Sequence, residues 1–419
     1  MRYLSKVQKN GRRNDEMQEI STYLHLQCGP MDLASAALPI DRWALSPDIV
    51  HLNHGSYGGC PRAVIEAATA IRARLEAAPM VFYKLEWQPL VDHARASLAA
   101  FIHASADQLV FVPNATTGVA IALGSCTLAA DDEILTTDHT YRAVGNQLER
   151  VAATHGARIV VVKLPLPFDP DQCVAAIAAA TTARTRLVML DHITSPTAIV
   201  LPLERILPAL RERGIQIVID GAHAAGQIEL DVDALVALGV TYYAGNNHKW
   251  LCAPKSTGFL VAAGPVRPIV TSHGASTEYG PPNRLHAELD WAGTYDPAPQ
   301  LAVPVAIAAL AAVGTPFAIH ARNHALALAM RAHVREELGG PCLAPPQAIG
   351  TMVAMRIALP PNTTPGALTD QLLRDGFEAP IVDWPGQPLL RLSAHLYNEL
   401  GHAHALVAKL RELGVAHAR

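Results

Sequence analysis

The chain has 419 residues, of which 50% are hydrophobic and 17% charged, and its formal net charge is −4 at pH 7. A chain of this length can bury a large core and form more than one domain. The charge balance argues against nucleic acid as a partner, because no basic stripe follows the N-terminal tail. No apolar run approaches the roughly 18 residues of a membrane span, so we expect no membrane partner.

The six cysteines are scattered along the chain without CxxC spacing. This pattern is typical of reduced thiols, so we expect a cytoplasmic protein without a metal site. Residues 1–30 mix acidic and basic side chains and lack the apolar core of a signal peptide. We therefore expect residues 1–40 to be a partly disordered extension, in which Met31 is a candidate for the natural start.

Residues 53–60 are rich in glycine and polar side chains, a composition that predicts a loop rather than a helix or strand. Apolar residues then recur at helical spacing over 61–78, and a helical pattern continues over 90–101. Asn114 next leads into Ala115, Thr116 and Thr117 at the start of a helix of small residues. Such a helix N-terminus can bind phosphate, although an ordinary Asn or Thr N-cap would look the same.

Strand patterns alternate with helical patterns as far as residue 263. We predict buried strands over 133–137, 158–162, 186–191 and 215–220, and a further short run over 241–244. This alternation favours a mostly parallel α/β sheet in a large domain that spans residues 41–300. Residues 301–419 predict a smaller α+β domain, with one long alanine-rich helix, strands over 351–357 and 389–393, and a last helix over 399–413.

Lys249 lies in the polar turn that follows 241–244, between His248 and Trp250. Contact with aromatic and apolar groups would partly desolvate its amine, lower its pKa and free it as a nucleophile. An amine of this kind can form a Schiff base with the aldehyde of pyridoxal phosphate. Taken alone, Lys249 would more often be an ordinary surface lysine.

Asp220 ends an apolar strand, at the edge where open α/β sheets bind ligands. An ionised aspartate there can keep a pyridine nitrogen protonated, as pyridoxal phosphate chemistry requires. An aspartate that only caps the next turn is the alternative interpretation. One strand–turn unit separates Asp220 from Lys249, so both side chains can line the same crevice.

Eight short motifs extend in order from about residue 45 to the C-terminus. They are Leu52-Asn53-His54-Gly55-Ser56-Tyr57-Gly58, Asn114-Ala115-Thr116-Thr117, Asp138-His139-Thr140-Tyr141, Thr194-Ser195-Pro196-Thr197, Asp220-Gly221-Ala222-His223, Asn247-His248-Lys249-Trp250, Trp291-Ala292-Gly293-Thr294 and Arg391. In these motifs the chain resembles the class V aminotransferase family of fold-type I pyridoxal phosphate enzymes. Within that family it is most similar to the isopenicillin N epimerase-like branch.

The resemblance implies an α/β fold of type I, pyridoxal 5′-phosphate as cofactor, and a homodimer with composite active sites. It assigns Lys249 to the cofactor aldehyde, Asp220 to the ring nitrogen and Arg391 to the α-carboxylate of an amino-acid substrate. It also places a larger set of residues around the cofactor: Ala115, Thr116, Thr117, His139, Tyr141, Ser195, His223, Asn246, His248 and, from the neighbouring subunit, Thr294. At the substrate it places Asn53, His54, Tyr57 and Tyr295. Relatives usually carry Arg in place of Tyr295, and this difference argues against a substrate with a distal carboxylate.

These residues would serve epimerisation, β-elimination by a C–S lyase and transamination alike, since all three begin by removing the α-proton. We favour epimerisation slightly, on the branch resemblance, with Tyr141, Tyr57 or His54 as the acid opposite Lys249. Desulfurases of this family need a mobile cysteine shortly before the carboxylate-binding arginine. Residues 375–380, the corresponding region here, contain none, so a persulfide-forming desulfurase is disfavoured. A binding protein that kept only the fold is the non-enzyme alternative, and a nicotinamide enzyme is excluded because no GxGxxG follows an early strand.

Overall fold

The computed structural model describes residues 37–270 and 284–417. Nearly all of the extension predicted over 1–40, with Met31, therefore lies outside the described residues. Its last residues are packed rather than loose, because Leu38 is buried and its N–H donates to the Leu396 carbonyl. The start of the described chain is thus held against the C-terminal domain.

The described strands run from β1 near the N-terminus to β12 near the C-terminus. They are β1 (Val50–His51), β2 (Leu109–Val112), β3 (Glu133–Thr137), β4 (Arg158–Val162), β5 (Thr185–Asp191), β6 (Gln216–Gly221), β7 (Tyr242–Asn246), β8 (Gly258–Ala262), β9 (Met352–Arg356), β10 (Phe377–Glu378), β11 (Ile381–Trp384) and β12 (Gln387–Ser393). The predicted strands are confirmed to within a residue or two at each end.

The α-helices are numbered in the same way. They are α1 (His54–Tyr57), α2 (Arg62–Ala77), α3 (Pro79–Val81), α4 (Trp87–Phe101), α5 (Ala115–Ser125), α6 (Arg142–His155), α7 (Pro170–Ala180), α8 (Leu203–Arg211), α9 (Val232–Ala237), α10 (Arg284–Leu289), α11 (Ala298–Leu301), α12 (Val303–Ala311), α13 (Pro316–Leu338), α14 (Pro365–Arg374) and α15 (Leu400–Glu412). A π-helical turn, Phe82–Glu86, joins α3 to α4.

A seven-stranded sheet forms the centre of the large domain, in the spatial order β2-β8-β7-β6-β5-β3-β4. Strands β3 to β7 pair in parallel, while β8 runs antiparallel to both of its neighbours. The predicted mostly parallel sheet is therefore confirmed. The carboxyl ends of β5, β6 and β7 lie side by side, and this edge carries the site described below.

Strand β4 was expected to be buried, and that expectation is wrong. Only Val162 is buried, while the rest of the strand is exposed or half-buried. The reason is its position, because β4 ends the strand order and has a neighbour, β3, on one side only. A run of β-branched residues indicates a strand but does not distinguish an edge strand from a central one.

The single long helix predicted after residue 301 is instead a series of three helices. Helix α13 begins with Pro316 in its first turn, and Thr315 caps it by accepting the N–H of Ala318. A proline is tolerated at this position but cannot continue a preceding helix. The chain consequently bends by 72° between Ala298–Ala311 and Pro316–Leu338.

Within the described residues, no single helix is both long and apolar enough to cross a membrane. The bent pair Ala298–Ala311 and Pro316–Leu338 passes that test only when the two segments are taken together.

The smaller domain contains a three-stranded antiparallel sheet in the order β11-β12-β9, so Arg391 lies on its central strand. Several contacts tie this domain to the segment before α1. Strand β1 pairs in parallel with β10, and the Ser393 N–H donates to the Leu52 carbonyl. The segment that enters α1 is thereby held against the strand that carries Arg391.

Residues 53–60 were predicted to form a loop, but the structure places one helical turn, α1, inside them. Gly58 ends this turn with φ +70°, a conformation that favours glycine. A Cβ atom at Gly58 would lie 2.0 Å from the His248 carbonyl oxygen. The absence of a side chain therefore lets α1 approach the turn that carries Lys249.

Candidate active site

Lys249 and Asp220 project from neighbouring parts of the sheet edge. Asp220 lies in β6 opposite Ala244 of β7, and Lys249 follows in the turn after β7. Burial lowers the pKa of Lys249 to about 8, an effect that Asp220 opposes by attraction and Arg391 reinforces by repulsion. The predicted crevice with a lysine and an aspartate is therefore present, and about a tenth of the amine is uncharged at pH 7, far more than for an ordinary lysine.

A second carboxyl group, Asp191, lies beside Asp220. The two are register partners at the ends of β5 and β6, and both are buried. Burial and repulsion by Asp220 raise the pKa of Asp191 well above its usual range. Burial also raises the pKa of Asp220, but the Ala222 N–H that its Oδ1 accepts and the charge of Lys249 oppose this effect. Asp191 accepts hydrogen bonds from Tyr141 and Thr140, yet its Oδ2 has no hydrogen-bond partner. Asp191 is therefore the protonated member of the pair and Asp220 the ionised one.

The N-terminus of α5 adjoins the same edge. Asn114 caps it by accepting the Thr117 N–H, and Thr116 and Thr117 are half-buried. The Ala115 N–H donates to Asn246 Oδ1 at 2.8 Å. Two residues that were predicted to bind the cofactor, Ala115 and Asn246, thus bind each other, and Asn246 holds the helix N-terminus against the end of β7.

His139 is completely buried at the turn after β3. Its Nδ1 is 2.7 Å from the Thr197 hydroxyl, and its ring meets Trp384 edge-on with a centroid distance of 4.6 Å. Its Nε2 has no hydrogen-bond partner. The ring is therefore held rigidly by two residues that the sequence had not connected to it.

His223 and His248 flank Lys249. His223 Nε2 lies 3.2 Å from the Lys249 amine, and His248 Nδ1 lies 3.0 Å from the Thr257 carbonyl. Because a carbonyl only accepts, His248 must carry a proton on Nδ1, which leaves Nε2 as the nitrogen free for a ligand. Burial lowers the pKa of His248 to about 4, so an anion at Nε2 would have to draw a proton onto the ring.

Arg391 is a buried cation whose four hydrogen bonds all go to neutral oxygens. Nη1 donates to the carbonyl and hydroxyl of Ser195 at 2.7 and 3.1 Å, and Nη2 donates to Asn53 Oδ1 and Ser56 Oγ at 3.2 and 2.6 Å. Burial lowers its pKa only to about 10, so the guanidinium remains charged. A buried charge without a counter-ion favours binding of an anion, such as an α-carboxylate. Ser195, predicted at the cofactor, is instead tied to Arg391, and Ser56 is a contact that sequence reasoning missed.

Tyr57 and Tyr141 lie close to this guanidinium. Tyr57 is 75% exposed and Tyr141 is 45% exposed, although both are large aromatic residues. Both are near enough to Arg391 to influence its pKa electrostatically. The structure therefore brings together the two tyrosines that were predicted to act on the substrate and the arginine that was predicted to bind it.

His54 lies behind Lys249 and not beside its amine. Its Nδ1 accepts the Gly59 N–H and lies 2.9 Å from the Tyr397 hydroxyl, so Nε2 carries the proton and donates to the Lys249 carbonyl at 3.1 Å. The ring is buried and stacks on His395 with a centroid distance of 3.8 Å. This placement argues against the prediction that His54 exchanges protons with the substrate. It supports the main chain of Lys249 instead.

The segment that carries Thr294 and Tyr295 lies outside this cluster. Thr294 is exposed, whereas the Tyr295 hydroxyl donates to Gln300 Oε1 at 2.9 Å. The Tyr295 ring packs among neighbouring aromatic residues that include Trp291. Within its own subunit, Tyr295 therefore contacts Gln300 and not the residues around Lys249 for which it was predicted.

These residues fit pyridoxal phosphate. Lys249 supplies the amine, Asp220 an ionised acid for the ring nitrogen, the α5 N-terminus a place for the phosphate, and His139 a buried ring with an unused nitrogen. The doubly wound sheet with this set at its carboxyl edge defines a pyridoxal phosphate-dependent enzyme of fold type I.

The chain belongs to the class-V aminotransferase family, whose family model matches residues 59–326. It is 38% identical over 395 residues to isopenicillin N epimerase of Amycolatopsis lactamdurans, an alignment that covers 88% of this chain and 96% of that protein. It is 31% identical to putative L-cysteine desulfhydrase 1 of rice, Oryza sativa subsp. japonica, over 73% of this chain and 66% of that protein. A solved structure of a C-DES mutant, with glycine linked covalently to its PLP cofactor, superposes with a TM-score of 0.79 at 23% identity, over 90% of this chain and 100% of that one. The predicted family, fold and cofactor are confirmed.

Reductive trapping tests the role of Lys249. Borohydride treatment of the holoenzyme, followed by peptide mapping, should attach the cofactor to Lys249, because its amine is desolvated and faces Asp220. Lys255 is the control, since it lies six residues away, is exposed, and donates to the Gly58 carbonyl. Lys255→Ala should keep the label, whereas a label on Lys255 would refute the assignment.

Substitution of Arg391 tests carboxylate binding. Arg391→Ala should raise the substrate KM by roughly thirty-fold, because a lost charge-assisted interaction costs about 2 kcal/mol. Arg391→Lys should give a smaller increase, since it keeps the charge without the planar fork. Arg374→Ala, an exposed arginine of the same domain, is the control. An unchanged KM in Arg391→Ala would show that another group holds the carboxylate.

Proposed function

We propose that the protein is an amino-acid epimerase that inverts the α-carbon of its substrate. The observation that carries the proposal is that two exposed tyrosines, Tyr57 and Tyr141, lie near the buried guanidinium of Arg391. Inversion needs one group that removes the α-proton and a second that returns a proton to the opposite face. Lys249 can serve as the first and a tyrosine as the second.

Each residue of the site has a separate role in this inversion. Pyridoxal phosphate, when bound, supplies the electron sink that acidifies the α-proton. Asp220 holds a proton at the pyridine nitrogen, and the neutral Asp191 leaves that edge with a single negative charge. Arg391 orients the α-carboxylate, and the Lys249 amine takes the α-proton. The similarity to isopenicillin N epimerase over nearly the whole chain supports this assignment.

A C–S lyase is the second candidate. It is favoured by the similarity to a putative L-cysteine desulfhydrase and uses the same first proton transfer. The hydroxyl near Arg391 would then protonate the departing sulfur. Transamination remains a third outcome of the same site, since it also begins at the α-proton.

We also propose that the enzyme is a homodimer in which Thr294 reaches the cofactor phosphate of the partner subunit. Thr294 is exposed, and its segment is anchored by an ion pair between Asp296 and Arg72 of α2. The helical segment next to it exposes several large apolar side chains, namely Ile65, Met80, Val81 and Leu85. Exposed apolar residues in such number are typical of a surface that another protein covers.

We further propose that the enzyme works in the cytoplasm. The cysteines in the described part of the chain are all free, which suits a reducing compartment. Fractionation of the native host would test this location.

Turnover in deuterated buffer distinguishes the reactions. An epimerase should give product with inverted configuration and solvent deuterium at the α-carbon. Removal of the second acid, by Tyr141→Phe or Tyr57→Phe, should leave deuterium exchange with retained configuration while inversion falls by at least about a hundred-fold. Release of a 2-oxo acid with ammonia would refute the epimerase in favour of the lyase, and an amino-group transfer to a second oxo acid would indicate the aminotransferase.

Complementation between subunits tests the composite site. Thr294→Asp should weaken cofactor binding by placing a negative charge beside the phosphate, and Lys249→Ala should be inactive. If Thr294 acts on the partner, a mixed dimer of the two variants contains one intact site, so mixing should restore activity. A lack of restoration, or a stable active monomer in light scattering, would contradict the proposal.

A further inference from the structure

Trp250, which follows Lys249 in the chain, contacts His223 through its indole N–H. The Trp250 indole is buried, and its Nε1 lies 3.3 Å from His223 Nδ1. An indole N–H can only donate a hydrogen bond. His223 Nδ1 must therefore accept, and a neutral His223 must carry its proton on Nε2.

The protonated Nε2 points at Lys249. The distance from His223 Nε2 to the Lys249 amine is 3.2 Å. An Nε2–H group needs an acceptor, and a lysine amine has a lone pair only when it is uncharged. When the Lys249 amine is uncharged, Trp250, His223 and Lys249 thus form a chain of donors that ends on its lone pair.

The opposite tautomer would have the opposite effect. With the proton on Nδ1, His223 would offer a lone pair at Nε2 and would stabilise the charged form of Lys249. Two N–H groups would then also face each other at the Trp250 contact, which is unfavourable. The tautomer of His223 therefore decides whether the imidazole favours the nucleophilic or the charged state of the amine.

The indole is held in place by close packing. A Cβ atom at Gly55 would lie 3.2 Å from Trp250 Cζ2, and one at Gly226 would lie 2.6 Å from the Trp250 carbonyl. His54 adds a tilted ring contact at a centroid distance of 5.2 Å. The N–H direction is consequently fixed, as a residue that sets a tautomer requires.

We propose that Trp250 is a positioning residue that locks His223 in the Nε2–H tautomer and thereby favours the neutral, nucleophilic form of Lys249. The proposal concerns the free amine of Lys249 before it binds the cofactor, so it deepens the proposed function without depending on which reaction follows. Other effects act on the same pair. Asp220 favours the charged lysine, whereas burial and Arg391 disfavour it. Burial above all, and then the charges of Lys249, Arg391 and His248, lower the pKa of His223 and keep it neutral.

The first measurement uses the unaltered chain. Nitrogen-15 NMR of histidine-labelled, cofactor-free full-length protein should show His223 with an unprotonated Nδ1 and a protonated Nε2 at neutral pH. Assignment of the resonance by His223→Gln completes the experiment. A protonated Nδ1 would overturn the proposal, whatever the outcome of the reaction assays.

The second measurement removes only the donor. Trp250→Phe keeps an aromatic ring but lacks the N–H, so the other His223 tautomer should become populated. The pH midpoint for acylation of Lys249 in the cofactor-free protein should rise by about one unit, and reactivity at pH 7 should fall about tenfold. The NMR signals of His223 should move in parallel.

Trp43→Phe is the matched control. Trp43 is also buried and also contacts His54 and His395, but its Nε1 has no hydrogen-bond partner. This variant should leave both the Lys249 midpoint and the His223 tautomer unchanged. If Trp250→Phe behaves like Trp43→Phe, or if both variants shift the midpoint equally, the tautomer lock is refuted.

Discussion

The site depends on the opposition between two cations and a single anion in one cleft. Lys249 and Arg391 repel each other, and Asp220 is the ionised acid that faces the lysine. Asp191, its neighbour in β5, stays protonated, so the edge carries one negative charge and not two. Burial lowers the pKa of Lys249 and keeps its amine reactive, although the attraction of Asp220 acts against this effect, and Arg391 is left in need of an anion. The parallel register of β5, β6 and β7 brings Asp191, Asp220 and Lys249 together, and Arg391 joins them from β12 of the smaller sheet.

Much of the fold could be predicted because strand and helix periodicity are local properties of the sequence. The exceptions have physical causes that a local pattern does not contain. Strand β4 is exposed because of its place in the strand order, and the long helix is broken because Pro316 can begin a helix but not continue one. The turn of helix at His54 is held by contacts with residues far along the chain.

In the candidate site, too, some features could be predicted from the sequence and others could not. Lys249, Asp220 and Arg391 could be located from motif and strand position, and the structure brings them to one cleft. The hydrogen-bond partners of the surrounding residues could not be predicted from the sequence, because each bond joins segments that are distant in the chain. Ser195 pairs with Arg391, Asn246 with Ala115, and His54 with the Lys249 carbonyl. A motif indicates that a residue is near the site without showing which atom it contacts.

The close approach at Gly58 bears on how the site can move. The helical turn α1 abuts the Lys249 turn through Gly58 and His54, and it also binds Arg391 through Asn53 and Ser56. It therefore contacts both the large and the small domain, and these contacts fix the distance between Lys249 and Arg391 before a substrate binds. A cleft preformed in this way loses little conformational entropy on binding. Its selectivity is then set by the shape of a preformed opening, with the exposed side chains of Tyr57 and Tyr141 at its rim.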